Sequence, residues 1–201
     1  MEVLEIQQNE YLKNDINAFY HGYHRNWNDT KVGYINTLKN DSGTFTDLRK
    51  EFGYTLTGAQ KKLYEALEED LPIIAEKSTV KYTICVVPRS KCNNNYNQTQ
   101  LLFINTIKKF ALNNFNKFHD GTNYITRLID TPTTHLTKNY NSIDIGITKR
   151  TCNISNNVRG KDILLIDDIY TKSVNIDEDA IQALFDNGAN SVTLYVLGKT
   201  I

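Results

Sequence analysis

DILLIDDIYTKSVNIDEDAIQALFDNGANSVTLYVLG, residues 162–198, decides the fold. Asp162 leads into the apolar run ILLI, which is followed by Asp167 and Asp168 and a polar turn. Ile176, Ala180, Ile181, Leu184 and Phe185 then recur at helical spacing, so a helix is predicted, and Gly188 is its expected stop. SVTLYVLG reads as a second buried strand. Strand, loop, helix and strand in this order make a βαβ unit, which implies an α/β domain with a mainly parallel sheet and helices on both faces.

Working upstream, YTICVVP (82–88) is a β-rich apolar run stopped by a proline, the pattern of a buried strand that ends in a loop. The loop RSKCNNNYNQ leads into a helix expected from about Thr99 to Leu112. Leu63, Leu67 and Leu71, with Tyr64 beside them, predict an amphipathic helix over 58–71. Pro72 is expected to end or kink it, because proline lacks the N–H a continuing helix needs. The first 50 residues have poor periodicity and predict irregular structure with a short strand and a helix near Val32 to Leu38.

Composition bounds the function. Lys plus Arg and Asp plus Glu both number 23 in 201 residues, so the chain has no bulk field for nucleic acid or anionic lipid. The balance hides a gradient: residues 1–80 carry nine basic and thirteen acidic side chains, 81–130 seven and two, and 131–201 seven and eight. The middle is the basic part. Three cysteines without a CxxC pair argue against a disulfide framework or a zinc site. No apolar run is long enough to span a bilayer and the N-terminus has no signal-peptide pattern, so a reduced cytoplasm is expected.

In open α/β sheets ligands sit outside the carboxyl ends of the strands. Asp167 and Asp168 are expected at such an end, with Thr171, Lys172, Ser173, Val174 and Asn175 in the loop entering the next helix. The N–H groups of a helix start and nearby hydroxyls suit a phosphate, and paired carboxylates suit sugar hydroxyls or, through them, Mg²⁺. The bland alternative is a pair of solvated acids and an Asn175 cap.

The stretch ILLIDDIYTKSVN (163–175) resembles the phosphoribosyl pyrophosphate (PRPP) motif of type I phosphoribosyltransferases. VVPRSK (86–91) is similar to that family's pyrophosphate-loop region, and NYNQTQLL (95–102) and Arg127, Thr131 and Leu136 are similar to segments of ComF-like members. The resemblance covers about residues 79–201. It implies a phosphoribosyltransferase-like domain there, with residues 1–78 packed on it as an N-terminal extension or hood. It further implies Mg²⁺-dependent transfer of a 5-phosphoribosyl group from PRPP to a nitrogenous acceptor. Asp167 and Asp168 would be the catalytic acids on the ribose, with Mg²⁺ near them, directly or indirectly. Thr171 to Asn175 would hold the 5′-phosphate, and Arg89, Ser90 and Lys91 the pyrophosphate.

The departures open a second reading. Lys172 and Ser173 stand where the family has Thr or Ser and Gly, and Asn175 replaces its last Thr. A serine forced to positive φ at 173 would cost about 1 to 2 kcal/mol. Asp177, Glu178 and Asp179 favour the helix dipole but repel an anion. Thr171 also occupies the position of an acid in purine-salvage relatives, which leaves the acceptor open. The alternative is a catalytically degenerate protein that binds PRPP or a nucleotide 5′-phosphate as a sensor or accessory factor. A DNA-associated role, as in ComF-like members, is a third reading, against which the balanced charge stands. A homodimer is compatible with all three.

Among other residues, His21 and His24 are spaced for a metal pair but lack further ligands nearby, and His119 and His135 stand alone. Cys85 lies in an apolar strand, whereas Cys92 follows Arg89 and Lys91, which would lower its pKa if near. Trp27 and the N-terminal tyrosines are expected in packing rather than on a base.

Overall fold

A computed structural model describes residues 1–25, 29, 31–39, 48–49, 52–131, 146–147 and 150–201. Trp27, Pro132, His135 and Leu136 lie outside the described residues.

The ILLI run forms the centre of strand β9 (Asp162–Tyr170), where Ile163, Leu164, Leu165 and Ile166 are all fully buried. Alternate side chains enter opposite layers, which is why the run is continuously apolar. Leu164 and Ile166 face one hydrophobic cluster, and Ile163 and Leu165 face the other. Helix α4 (Ile176–Asp186) covers the second layer and hands the chain to β10 (Ser191–Thr200), parallel to β9. Gly188 closes the helix at φ 91°, with its N–H on the Phe185 carbonyl, as the sequence predicts.

Strand β5 (Tyr82–Val86) pairs parallel with β9 on its other side. A single 3₁₀ turn at Thr99–Leu101 leads into α3 (Leu102–Asn113), which buries Phe103, Ile107 and Phe110 and returns the chain to β6 (Phe118–Asp120), parallel to β5. The first layer is completed by α2 (Leu56–Glu76), capped by the Thr55 hydroxyl, which accepts the Gly58 N–H at 3.0 Å.

Pro72 lies inside α2 and does not end it, so the first of the two outcomes expected of it is not seen. Buried Leu71 and Ile74 anchor the last turn on both sides of it. The carbonyl freed by the missing N–H belongs to exposed Glu68, where water can satisfy it.

The N-terminal segment is more regular than its composition predicts. β1 (Glu2–Ile6) and β2 (Ile16–His24) join the same sheet, whose order is β1-β2-β10-β9-β5-β6. β2 lies parallel to β10, and β1 is the antiparallel edge. β1 and β2 therefore extend the sheet itself. α1 (Gly33–Lys39) matches the helix expected near Val32 to Leu38. Gly33 lies so close to the Phe52 carbonyl that any side chain would collide with it, which seats the start of α1. Among the described residues the remaining strands are two short antiparallel pairs: β3 (Leu48–Arg49) with β4 (Tyr54–Thr55), and β7 (Ile125–Arg127) with β8 (Cys152–Ile154).

A buried polar node ties the layers together. Asp70 of α2 accepts from His21 Nδ1 at 2.8 Å and from the Tyr195 hydroxyl at 2.9 Å. Burial pushes its pKa up, but these donors outweigh burial and hold the carboxyl below its usual range. His21 is thus committed to β2–α2 packing.

Candidate functional site

The chain leaves β5 through α3 toward one edge of the sheet and leaves β9 through α4 toward the other. β5 and β9 are neighbours, so the strand order reverses between them. Their carboxyl ends are therefore the topological switch point, the position at which open α/β sheets bind ligands. The loop after β5, the end of β9 and the end of α1 meet there, through Arg89, Asp168 and Lys39.

β9 is longer than its ILLI run suggests. Its pairing with β5 stops at Val86↔Ile166, while that with β10 continues to Lys199↔Tyr170. Asp167 and Asp168 therefore lie inside a strand but beyond the reach of its neighbour. The ladders skip the level of Asp168, Leu197 and His21, an irregularity that crosses three strands.

As successive strand residues, the two acids face opposite layers. Asp167 turns toward α4, where it pairs with Asp177, and its Oδ1 also accepts the Asp168 N–H at 2.7 Å. Burial, and then the charge of Asp168, push Asp167 up to about 7. Asp177, only 4% exposed, is raised well above the carboxylate range by burial and by Asp167. With Asp177 buried and Asp167 half-buried against it, the two carboxyls disfavour double ionisation, which favours a proton shared between them. Asp168 turns the other way, and both its oxygens lie 3.1 Å from Lys39 Nζ.

The polar turn takes a shape the sequence did not reveal. The Val174 N–H closes it on the Thr171 carbonyl at 3.0 Å, and Lys172 and Ser173 are exposed. Ser173 does not carry the positive φ. Asn175 does, at φ 54°, and its side chain makes no capping bond at the start of α4. The three acids of the first helical turn are each engaged. Asp177 meets Asp167, Glu178 accepts the Tyr170 hydroxyl at 2.9 Å, and Asp179 accepts the Ile147 N–H at 2.6 Å.

The loop after β5 is braced by arginines. Arg89, expected on pyrophosphate, donates to the carbonyls of Lys39 (2.5 Å) and Gln100 (2.8 Å), and its guanidinium lies 4.6 Å from the Tyr96 ring centroid. Arg127 donates to the carbonyls of Arg89 (3.0 Å), Gly146 (2.8 Å) and Pro88 (3.4 Å). The Ser90 carbonyl accepts from the N–H and hydroxyl of Thr131, and the Lys91 N–H donates to the Tyr96 hydroxyl. Arg89 is therefore a structural brace here, while the Lys91 chain is exposed.

The Cys92 expectation is corrected. Its thiol pKa is raised, by desolvation and by Asp130, whose carboxylate accepts the Cys92 N–H at 2.7 Å. Asp130 outweighs the cations. Burial and Asp120 push Cys85 up to about 12, which fits an inert packing role. His24 is buried with Nε2 3.4 Å from Asn36 Oδ1, and His21 belongs to Asp70, so the two do not converge on a metal.

The acids do not fit a Mg²⁺ ion held directly by protein. They face opposite layers, Asp168 is engaged by Lys39, and among the described residues no group of three or more metal-ligating side chains is assembled. A cation can still arrive on a ligand's own phosphates.

Lys39 and Asp177 are the site residues that sequence reasoning missed. Lys39 sits in a segment without periodicity, and Asp177 reads as one of three dipole-matched acids. Among the described residues no helix is long and apolar enough to cross a membrane. No protein family, curated protein or solved structure matches this chain.

Proposed function

We propose that this protein binds a 5-phosphoribosyl ligand, PRPP or a nucleotide 5′-phosphate, at the carboxyl ends of β5 and β9. The observation that carries the reading is the position of Asp168 and the Thr171–Asn175 turn at the carboxyl end of β9, where the strand order reverses. Asp168 would accept the ribose hydroxyls. The turn, with Lys172 beside it, would receive the phosphate. Arg89 is occupied by the Lys39 and Gln100 carbonyls, which favours binding as a sensor or accessory protein.

Phosphoribosyl transfer is the second reading, and the Asp167–Asp177 pair favours it. In that reaction the bond from the ribose anomeric carbon to pyrophosphate breaks, a bond to an acceptor nitrogen forms, and the nitrogen's proton must be taken up. Asp167, raised to about 7, adjoins Asp168 in the strand but faces α4, so it would take up that proton through a relay rather than directly.

Calorimetry with PRPP and Mg²⁺ tests the first reading. Binding should be lost in the double variant Asp167→Asn with Asp168→Asn. No heat at millimolar ligand would overturn it. Pyrophosphate release with a panel of nitrogenous bases tests the second, and release that persists in Asp167→Asn would remove that carboxyl from the chemistry.

A further inference from the structure

Lys39 stands where three parts of the site meet. Its ammonium lies 3.1 Å from both Asp168 oxygens, and its main-chain carbonyl accepts from Arg89 of the β5 loop at 2.5 Å. The pair is neither sealed nor free, with side chains 24% and 17% exposed. The backbone is thus pinned while the four-carbon stem can swing. Any hydroxyl that binds Asp168 must approach within a few ångströms of the Lys39 ammonium. A neutral diol that displaced the ammonium would leave it partly desolvated without a counter-ion, which is unfavourable. A diol carrying phosphate supplies that counter-ion.

We propose that Lys39 is the exchangeable cation of this site: it neutralises Asp168 in the free protein and moves onto the ligand's phosphate groups when ribose hydroxyls take Asp168. This inference rests on the phosphoribosyl reading above and deepens it. Lys39 couples the two halves of the ligand, so the site selects anionic ribosyl phosphates over neutral nucleosides and over free pyrophosphate. Arg89 cannot take the same role while it braces the loop. The exchange is confined to a side chain, since the main-chain bond from Arg89 holds α1 in place throughout.

The test titrates PRPP and inorganic pyrophosphate, each with Mg²⁺, into wild type, Lys39→Met, Lys39→Arg, Asp168→Asn and the double variant Lys39→Met with Asp168→Asn. Lys39→Met keeps the carbonyl that Arg89 uses, and thermal melts verify that it folds. It should bind PRPP about tenfold or more weakly, and Lys39→Arg should recover most of that loss. Asp168→Asn releases the ammonium, so it should bind pyrophosphate about tenfold more tightly than wild type, a gain absent from the double variant. Unchanged PRPP affinity in a folded Lys39→Met overturns the inference and leaves the binding reading standing. If wild type does not bind PRPP, that reading fails, and the pyrophosphate arm still decides: a Lys39-dependent gain in Asp168→Asn supports an exchangeable cation, and no gain overturns it.

Discussion

Arg127 Nε donates to the main-chain carbonyl of Arg89 at 3.0 Å, so one arginine fixes the backbone from which the other projects. Arg89 then reaches the carbonyls of Lys39 and Gln100. Through these two guanidinium groups β7, the β5 loop, α1 and the turn before α3 are held together. A rigid planar fork suits several carbonyls at once, which a lysine cannot match.

Replacing Arg127 by alanine removes the guanidinium from the carbonyls of Pro88 and Arg89 and leaves that of Gly146 to the Thr151 hydroxyl alone. The expected loss is about 2 to 3 kcal/mol in a urea unfolding series. Arg127→Lys should recover less than half of it. Amide exchange over residues 88–92 should accelerate in both variants, and unchanged protection there would show that the loop holds without the brace.

The Asp167–Asp177 pair makes a pH prediction with a definite sign. Both carboxyls are raised in the folded protein, so it retains protons that the unfolded chain has released above about pH 4. Their contribution is complete at acid pH and declines as pH rises from about 4 through about 7, where Asp167 ionises. Asp70 and Asp130, whose values are lowered, act in the opposite sense, so the comparison must be between variants. Asp177→Asn gives Asp167 an amide donor that needs no shared proton. It should be more stable than wild type at pH 8 by about 1 to 2 kcal/mol and lose this advantage toward pH 5. Parallel pH profiles for the two proteins would count against the shared proton.

The turn makes a prediction about backbone strain. Asn175 alone among the described non-glycine residues has positive φ, and asparagine tolerates this region. Asn175→Gly should be near neutral, whereas Asn175→Val should lose about 1 to 2 kcal/mol in thermal or chemical unfolding. At Ser173 glycine relieves no strain, so Ser173→Gly should destabilise by roughly 0.5 to 1 kcal/mol through unfolded-state entropy. Stabilisation by that substitution would show that the turn adopts a different shape.

Much of the fold was legible because the signals were local. ILLI, the Ile176 to Phe185 stripe and Gly188 each act within a few residues, and all three appear as read. β2 was less legible because INAFYHGYH mixes His, Asn and Gly with its apolar residues. Its His21 is matched by Asp70, a partner 49 residues away that periodicity does not reveal. Pro72 does not end its helix for a related reason: buried Leu71 and Ile74 hold the last turn in place.

At the site, sequence placed the acids and the turn, and tertiary structure set their partners. The two aspartates are adjacent in the chain, yet strand geometry sends Asp167 to Asp177 and Asp168 to Lys39. Arg89 reads as a free cation in a basic segment until the carbonyls of Lys39 and Gln100 come within reach. By itself the sequence determined an α/β chain with a parallel sheet and a polar turn after its central strand, because apolar spacing and chain breakers work over short distances. Only the tertiary structure decided which charges are free, paired or sharing a proton, because that depends on burial and on partners as far apart as Lys13 and Asp186, 173 residues.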